Sequence, residues 1–242
     1  MKVTGLTDVG VKRRVNQDAI FYSDKPVGNL PNLFIVADGM GGHKAGDFAS
    51  NYAVKSFLDI ITNSDKDNFI TLMNEALQKT NVALYSKSLE NPDFEGMGTT
   101  FVAATLKGNQ LYVLNVGDSR LYIAGDRFTQ ITRDHSWVEE MVTKGEMARE
   151  EARTHSKKNL ITRAVGADEE VMADFFEVGI NPGEIIILCS DGLSNMVENN
   201  DIHEILKKDI LLEDKGKMLV ATANNNGGTD NISVVLIEPD KI

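Results

Sequence analysis

The amino-acid sequence predicts an α+β protein in which antiparallel sheets are covered by helices, and three observations carry that expectation. Short β-type runs recur along the chain with turn residues between them. Two long stretches of helical periodicity follow one another instead of alternating with strands. The resulting order is strands, two helices, many strands, then helices and a last strand, which excludes a regular βαβ repeat.

The first strands are expected at Asp18–Tyr22 and Leu33–Ala37, the second ending at Asp38-Gly39. A helix follows over Gly46–Ile61, where Phe48, Tyr52, Phe57 and Ile61 share one broad face, and another over Asn68–Ser88, with Ile70, Met73, Leu77 and Leu84. The polar connector between them offers Ser64 or Asp65 as N-cap. A meander of four strands comes next, at Thr99–Leu106, Gln110–Val116, Arg120–Ala124 and Arg127–Ile131. Its connectors include Lys107-Gly108-Asn109 and Gly125-Asp126, both good hairpin chemistry. The stretch from His135 to Asp174 is charged and poor in strand signals. It reads as a partly helical surface insertion, either a mobile flap or an ordinary solvated connection. Strands return at Phe175–Val178, Glu184–Ser190 and Asn231–Ile237, and shorter helices fit Trp137–Lys144, Asn200–Lys208 and Asp214–Asn224.

No linker-like tract or internal repeat divides the 242 residues, so a single domain over 1–242 is expected. The net charge of −11 argues against nucleic-acid binding, which normally needs a basic face. It is compatible with a cation site, and equally with plain solubility. With Cys189 the only cysteine, no intramolecular disulfide forms. The N-terminus lacks a signal-peptide core, and no apolar run reaches the roughly 18 residues that span a bilayer. A soluble, cytoplasmic protein without a membrane partner is the expectation.

The most informative pattern is a carboxylate at the end of an apolar run. Phe34–Ala37 leads into Asp38-Gly39, Ile185–Ser190 into Asp191-Gly192, and Thr229-Asp230-Asn231 directly into Ile232–Ile237. Such runs belong in the centre of a buried sheet, where a carboxylate at the rim is costly without compensation. Mg²⁺ and Mn²⁺ provide that compensation, since they prefer oxygen ligands and retain several waters. One Asp-Gly after a strand is most often just a turn. Three at buried strand ends, with a fourth in Gly117-Asp118-Ser119-Arg120, are harder to dismiss.

Rival motifs fail on their residues. Gly39-Met40-Gly41-Gly42-His43-Lys44 has lysine where a dinucleotide fingerprint needs its third glycine, and neither P-loop nor EF-hand spacing occurs. His43, His135, His155 and His203 show no zinc-type pairing. Asn195 stands where a cysteine-based phosphatase would need arginine after Cys189.

Seven motifs then occur in order: Arg13-Arg14-Val15-Asn16-Gln17-Asp18, Val36-Ala37-Asp38-Gly39-Met40-Gly41-Gly42-His43, Gly98-Thr99-Thr100, Val116-Gly117-Asp118-Ser119-Arg120, Leu160-Ile161-Thr162-Arg163-Ala164-Val165-Gly166, Cys189-Ser190-Asp191-Gly192-Leu193 and Gly228-Thr229-Asp230-Asn231-Ile232-Ser233. Together they resemble the metal-dependent serine/threonine protein phosphatases of type 2C in their compact bacterial form, over about residues 3–238. The resemblance implies a four-layer α-β-β-α sandwich, two antiparallel sheets flanked by helices, with a flap at about 135–174. It also implies two Mn²⁺ or Mg²⁺ ions in a cleft at one end. By motif, Asp38, Asp191 and Asp230 hold one ion; Asp38, the Gly39 carbonyl and, through water, Asp18 hold the other. Asp118 matches the position that, with Asp191, holds a third metal in bacterial members. Arg13 matches the phosphate-clamping arginine, with Arg14 as the neighbouring alternative.

One departure touches mechanism. Animal members carry histidine directly after the Asp-Gly pair, as a candidate general acid for the leaving alkoxide; here Met40 stands there. His43 or a metal-bound water is left for that role, against a plain surface or outer-layer histidine. Thr162 and Arg163, at the return of the flap, read as structural. The implied reaction is hydrolysis of phosphoserine and phosphothreonine on proteins by water, opposing a bacterial serine/threonine kinase, in a monomer. A silent phosphoprotein-binding domain is the alternative from another class, weakened by intact acidic positions. A two-metal phosphodiesterase or nuclease is a third, disfavoured by the acidic charge.

Overall fold

The computed structural model describes residues 1–41 and 45–240. Their strands and helices run, in chain order, β1 (Lys2–Asp8), β2 (Asp18–Ser23), β3 (Leu33–Met40), α1 (Ala45–Thr62), α2 (Phe69–Glu90), β4 (Gly98–Thr99), β5 (Phe101–Lys107), β6 (Gln110–Val116), β7 (Arg120–Ala124), β8 (Phe128–Gln130), α3 (Trp137–Thr143), α4 (Arg149–Thr154), β9 (Asp174–Gly179), β10 (Ile185–Cys189), α5 (Asp191–Ser194), α6 (Asn199–Lys207), α7 (Leu212–Asn225) and β11 (Ile232–Glu238). One sheet has the order β1-β11-β10-β7-β8. The other has β2-β3-β5-β6-β9, with β4 paired to the end of β3. All the pairings are antiparallel.

The apolar runs explain the layering. Along β3, Leu33, Ile35 and Ala37 pack with Phe57, Leu72, Met73 and Leu77 of α1 and α2. The alternate residues Phe34 and Val36 meet Ile186 and Leu188 of β10 and Val235 and Ile237 of β11 between the sheets. On the far side Ile187, Cys189, Val234 and Leu236 pack with Ile202, Leu206, Leu219 and Ala223 of α6 and α7. Both faces of each central strand are therefore buried, so these strands read as continuous apolar runs in an antiparallel sheet. The result is the four-layer α-β-β-α sandwich expected from the sequence.

Several local expectations need correction. The strand from Leu33 does not end before Asp38-Gly39: it continues to Met40, because Gly39 and Met40 find partners in Thr99 and Gly98. The Thr99–Leu106 strand is interrupted at Thr100, splitting it into β4 and β5. Neither Ser64 nor Asp65 caps α2; Asn68 does, its side chain accepting from Thr71 N–H at 2.9 Å. The edge strand β1 was not foreseen, nor were α4 and α5. The hairpin between β5 and β6 closes at Gly108, whose φ of 60° suits glycine.

The 135–174 stretch holds α3 and α4, joined by a two-bond Arg149–Glu139 ion pair. Arg153 of α4 reaches Glu198, at the start of α6. No described helix is long and apolar enough to cross a membrane.

Candidate metal centre

The strand registers bring the acidic positions to one end of the sandwich. Asp18, at the start of β2, lies opposite Asp38 near the end of β3. Asp118 occupies the turn between β6 and β7, and Arg120 after it pairs with Cys189, the last residue of β10. Asp191 opens α5, and Asp230 sits two residues before β11. Arg13, Asp38, Gly39, Asp118, Asp191 and Asp230 line one cleft of about 320 Å³ with Gln17, Met40, Gly41, Thr100, Asn159 and Ile161. Asp18 is buried beside it and not part of its lining. Arg14 does not line it either. His43 lies outside the described residues.

Backbone and hydroxyl contacts fix these loops. Asp38 N–H donates to Thr100 Oγ1 at 2.9 Å, and Asp38 C=O accepts from Thr100 N–H and Thr99 Oγ1, each at 2.9 Å. Thr100 and Ser119 share a 2.7 Å hydroxyl contact. Ser190 Oγ donates to Asp18 Oδ2 at 2.8 Å, and Asn195 Nδ2 to Asp191 Oδ2 at 2.9 Å. Asn231 ties three segments: its Oδ1 accepts from Gln17 N–H, and its Nδ2 donates to Val9 and Val15 carbonyls. Thr100, Ser190 and Asn231 stand inside motifs read from the sequence, which assign them no role of their own. Asn159 carries no local signal, and Ile161, inside the Leu160–Gly166 motif, has no role assigned by it; only the folding of the insertion brings them to the cleft.

Close packing is equally specific. A Cβ at Gly192 would lie 1.9 Å from Asn231 O, and one at Gly39 would lie 1.9 Å from Gly46 O. Gly192→Ala is therefore expected to push α5 off the Asp230-Asn231 turn, destabilising the protein by about 2 kcal/mol. Chemical denaturation of the variant measures this; an unchanged midpoint would contradict so tight an approach.

The charges do not rest easily together. Burial first, then the neighbouring Asp191 and Asp230, raises Asp18 to about 7 despite its serine hydrogen bonds. Burial and Asp230 raise Asp191 to about 6. Asp38 is pushed well above the usual carboxylate range by burial and by Asp18, Asp191, Asp118 and Asp230; burial, Asp191 and Asp134 do the same to Asp118. Asp18 Oδ1 and Asp191 Oδ1 are buried without a hydrogen-bond partner among the described residues. Carboxylates that crowd, resist ionisation and leave lone pairs unused are what a hard divalent cation would satisfy. No group of three His, Cys, Asp or Glu side chains among the described residues forms a ready-made cage. Arg13 is not free: its Nη2 donates to Asp230 Oδ2 at 2.8 Å, on the rim of the cleft.

The sign of the pH dependence follows. Where folded carboxylates protonate at about 6 to 7 and unfolded ones near 4, the folded metal-free protein holds more protons across that window. Its stability is expected to fall as pH rises from about 4 to 7, while metal binding, which displaces those protons, strengthens. The rise in Tm caused by saturating Mn²⁺ should thus grow between about pH 5 and 8. A rise that stays flat or shrinks in thermal scans would refute this.

Fold and cleft together define a class: an antiparallel α-β-β-α sandwich with an acidic, oxygen-donor cleft at one end. The chain belongs to the protein phosphatase 2C family, whose profile matches residues 11–225. It is 40% identical over 243 residues to the serine/threonine phosphatase stp of Listeria monocytogenes, covering 97% of this chain and 94% of that one. Among solved structures, the serine/threonine phosphatase Stp1 from Staphylococcus aureus superposes with a TM-score of 0.91 at 33% identity, covering 99% of this chain and 95% of the other. The catalytic domain of the serine threonine protein phosphatase PstP, in complex with two manganese ions, gives 0.85 at 32% identity, covering 97% and 96%. Divalent-metal use accompanies membership of this family.

Proposed function

We propose that this protein hydrolyses phosphoserine and phosphothreonine esters on proteins at the acidic cleft, using two Mn²⁺ or Mg²⁺ ions. The observation that carries this is the convergence of Asp18, Asp38, Asp118, Asp191 and Asp230 at one end of the sandwich, with the ionisation of Asp18, Asp38, Asp118 and Asp191 opposed and one oxygen each of Asp18 and Asp191 unpartnered. In this reading Asp38, Asp191 and Asp230 would hold one ion. Asp38, the Gly39 carbonyl and, through water, Asp18 would hold the other, and Asp118 with Asp191 would hold a third. The manganese-bound PstP relative supports Mn²⁺. When bound, the ions supply Lewis-acid activation of water and offset the charge of the phosphate.

The chain's own groups do the rest. Arg13, on the rim and paired with Asp230, would grip two phosphate oxygens with its planar guanidinium. Thr100, Ser190, Asn195 and Asn231 hold the carboxylates in place, so their geometry is set before substrate arrives. Met40 lines the cleft and cannot move a proton, so protonation of the leaving oxygen would fall to His43 or to water. Asn159 and Ile161 give the 135–174 insertion a place at the cleft, from which it gates substrate as a flap. A cytoplasmic monomer acting on the targets of a serine/threonine kinase completes the reading.

The test compares phosphate release from a phosphothreonine peptide with cleavage of a bis-ester, both with Mn²⁺, for the wild type and Asp191→Ala. Peptide hydrolysis that the substitution removes supports a phosphomonoesterase. Preference for the bis-ester points to a phosphodiesterase, and inertness toward both to a silent phosphoprotein-binding domain.

A further inference from the structure

The turn that carries Asp118 is gripped from outside by one buried histidine that the chemistry above leaves unused. Gly117 takes φ 96°, and a Cβ there would lie 2.7 Å from Thr100. Both of its backbone groups go to His135: Gly117 N–H donates to the ring Nδ1 at 3.1 Å, and Gly117 C=O accepts from His135 N–H at 3.0 Å. His135 is only 5% exposed. On its other side, His135 C=O accepts from Thr162 N–H at 2.8 Å, and the ring Nε2 faces Asp174 Oδ2 at 3.2 Å.

We propose that His135 is a positioning residue for Asp118: a neutral imidazole protonated on Nε2 clamps the Gly117–Ser119 turn and ties it to both ends of the 135–174 insertion. This rests on the reading of Asp118 as a metal-site carboxylate.

The tautomer follows from the partners. A backbone N–H only donates, so Nδ1 must present its lone pair and the ring proton must sit on Nε2. Nε2–H then donates to Asp174. Arg163 Nη1, 3.2 Å from Nε2, is a second donor to the same carboxylate and bonds Asp174 Oδ1 at 3.0 Å. An imidazolium would set a second N–H against that of Gly117. Burial, and then Arg163, hold the ring below the usual histidine range, against the pull of Asp174 and Asp134.

The grip is transmitted inward. Asp134 holds Arg120 through Nε and Nη2, while His135 holds Gly117, so adjacent residues bracket Asp118 and Ser119. Ser119 touches Thr100, whose Oγ1 accepts from Asp38 N–H. Loosening His135 would therefore shift Asp118 first and Asp38 second, without removing any carboxylate.

The experiment uses the full chain with His135→Asn and His135→Gln. Asparagine places an oxygen near the position of Nδ1 and keeps an acceptor for the Gly117 N–H; glutamine reaches toward Asp174 and leaves the Gly117 N–H unpaired, while the backbone bond to Gly117 C=O stays in both. Hydrogen exchange of the Gly117 amide in metal-free protein should quicken by about tenfold in His135→Gln and much less in His135→Asn. The Mn²⁺ concentration for half-maximal activity should rise by a similar factor in His135→Gln, with the peptide KM little changed. Equal behaviour of the two variants, or an unchanged Gly117 amide, overturns the proposal. Should both variants unfold, the wild-type imidazole ¹⁵N spectrum decides: protonation on Nε2 is expected, and protonation on Nδ1 overturns it. Asp118→Ala is run beside them. Unaltered Mn²⁺ dependence in that variant would sink the metal reading of Asp118, while the amide and tautomer data would still judge the clamp.

Discussion

Asp38→Asn is expected to cut phosphopeptide hydrolysis by at least about 10³-fold while making the metal-free protein more stable. The two effects share one cause. Asp38 is pressed by burial and by Asp18, Asp191, Asp118 and Asp230, so its ionised form is unwelcome until cations arrive. A neutral amide of the same shape removes that repulsion and leaves the strand untouched, because the Asp38 backbone still bonds Thr100. A gain of about 1–2 kcal/mol, or roughly 2–6 °C in Tm, is expected near neutral pH without metal. Saturating Mn²⁺ should reverse the order, since in the proposed reading Asp38 is a ligand of both ions. Calorimetry with and without Mn²⁺ reads both signs. A metal-free variant less stable than wild type would mean that Asp38 serves the fold and not the ions.

Arg120→Met should show the largest loss of stability. Arg120 reaches Asp134 through Nε and Nη2 and Tyr122 through Nη1, and both charged side chains are mostly buried. Removing the guanidinium strands the Asp134 carboxylate beside Asp118, whose ionisation is already opposed by Asp134. A loss of about 3–5 kcal/mol follows, lowering Tm by roughly 6–15 °C. Adding Asp134→Leu should recover part of it, because an apolar pair avoids the unpaired charge. A double variant no better than the single one would show that packing against Tyr122, and not charge, carries the effect.

Much of this was legible in the chain itself. The buried runs of β3, β10 and β11 announce central strands, and the carboxylates beyond or within their ends mark the rim of the core. What stayed hidden has physical reasons. β1 carries mostly half-buried residues along an edge, with Gly5 and two threonines diluting its pattern, so nothing marked it as a strand. Asp38 lies within β3 because a distant segment, Gly98-Thr99, prolongs the pairing. The Asp191-Gly192 pair looks like a turn but opens α5, where contact with Asn231 demands glycine. Asn68, and neither Ser64 nor Asp65, caps α2 because the helix begins only at Phe69 and residues 64–67 form no regular structure. His135 gave no sign at all: its partners Gly117, Thr162 and Asp174 are local to it only in the fold.

The central claim is that the acidic cleft works through divalent cations. Its most direct test is phosphate release from a phosphothreonine peptide by protein stripped of metal, then titrated with Mn²⁺ and finally treated with excess chelator. Activity that is absent at first, rises with Mn²⁺ to saturation and disappears with chelator is the predicted result. Undiminished hydrolysis by the stripped, folded protein would contradict it.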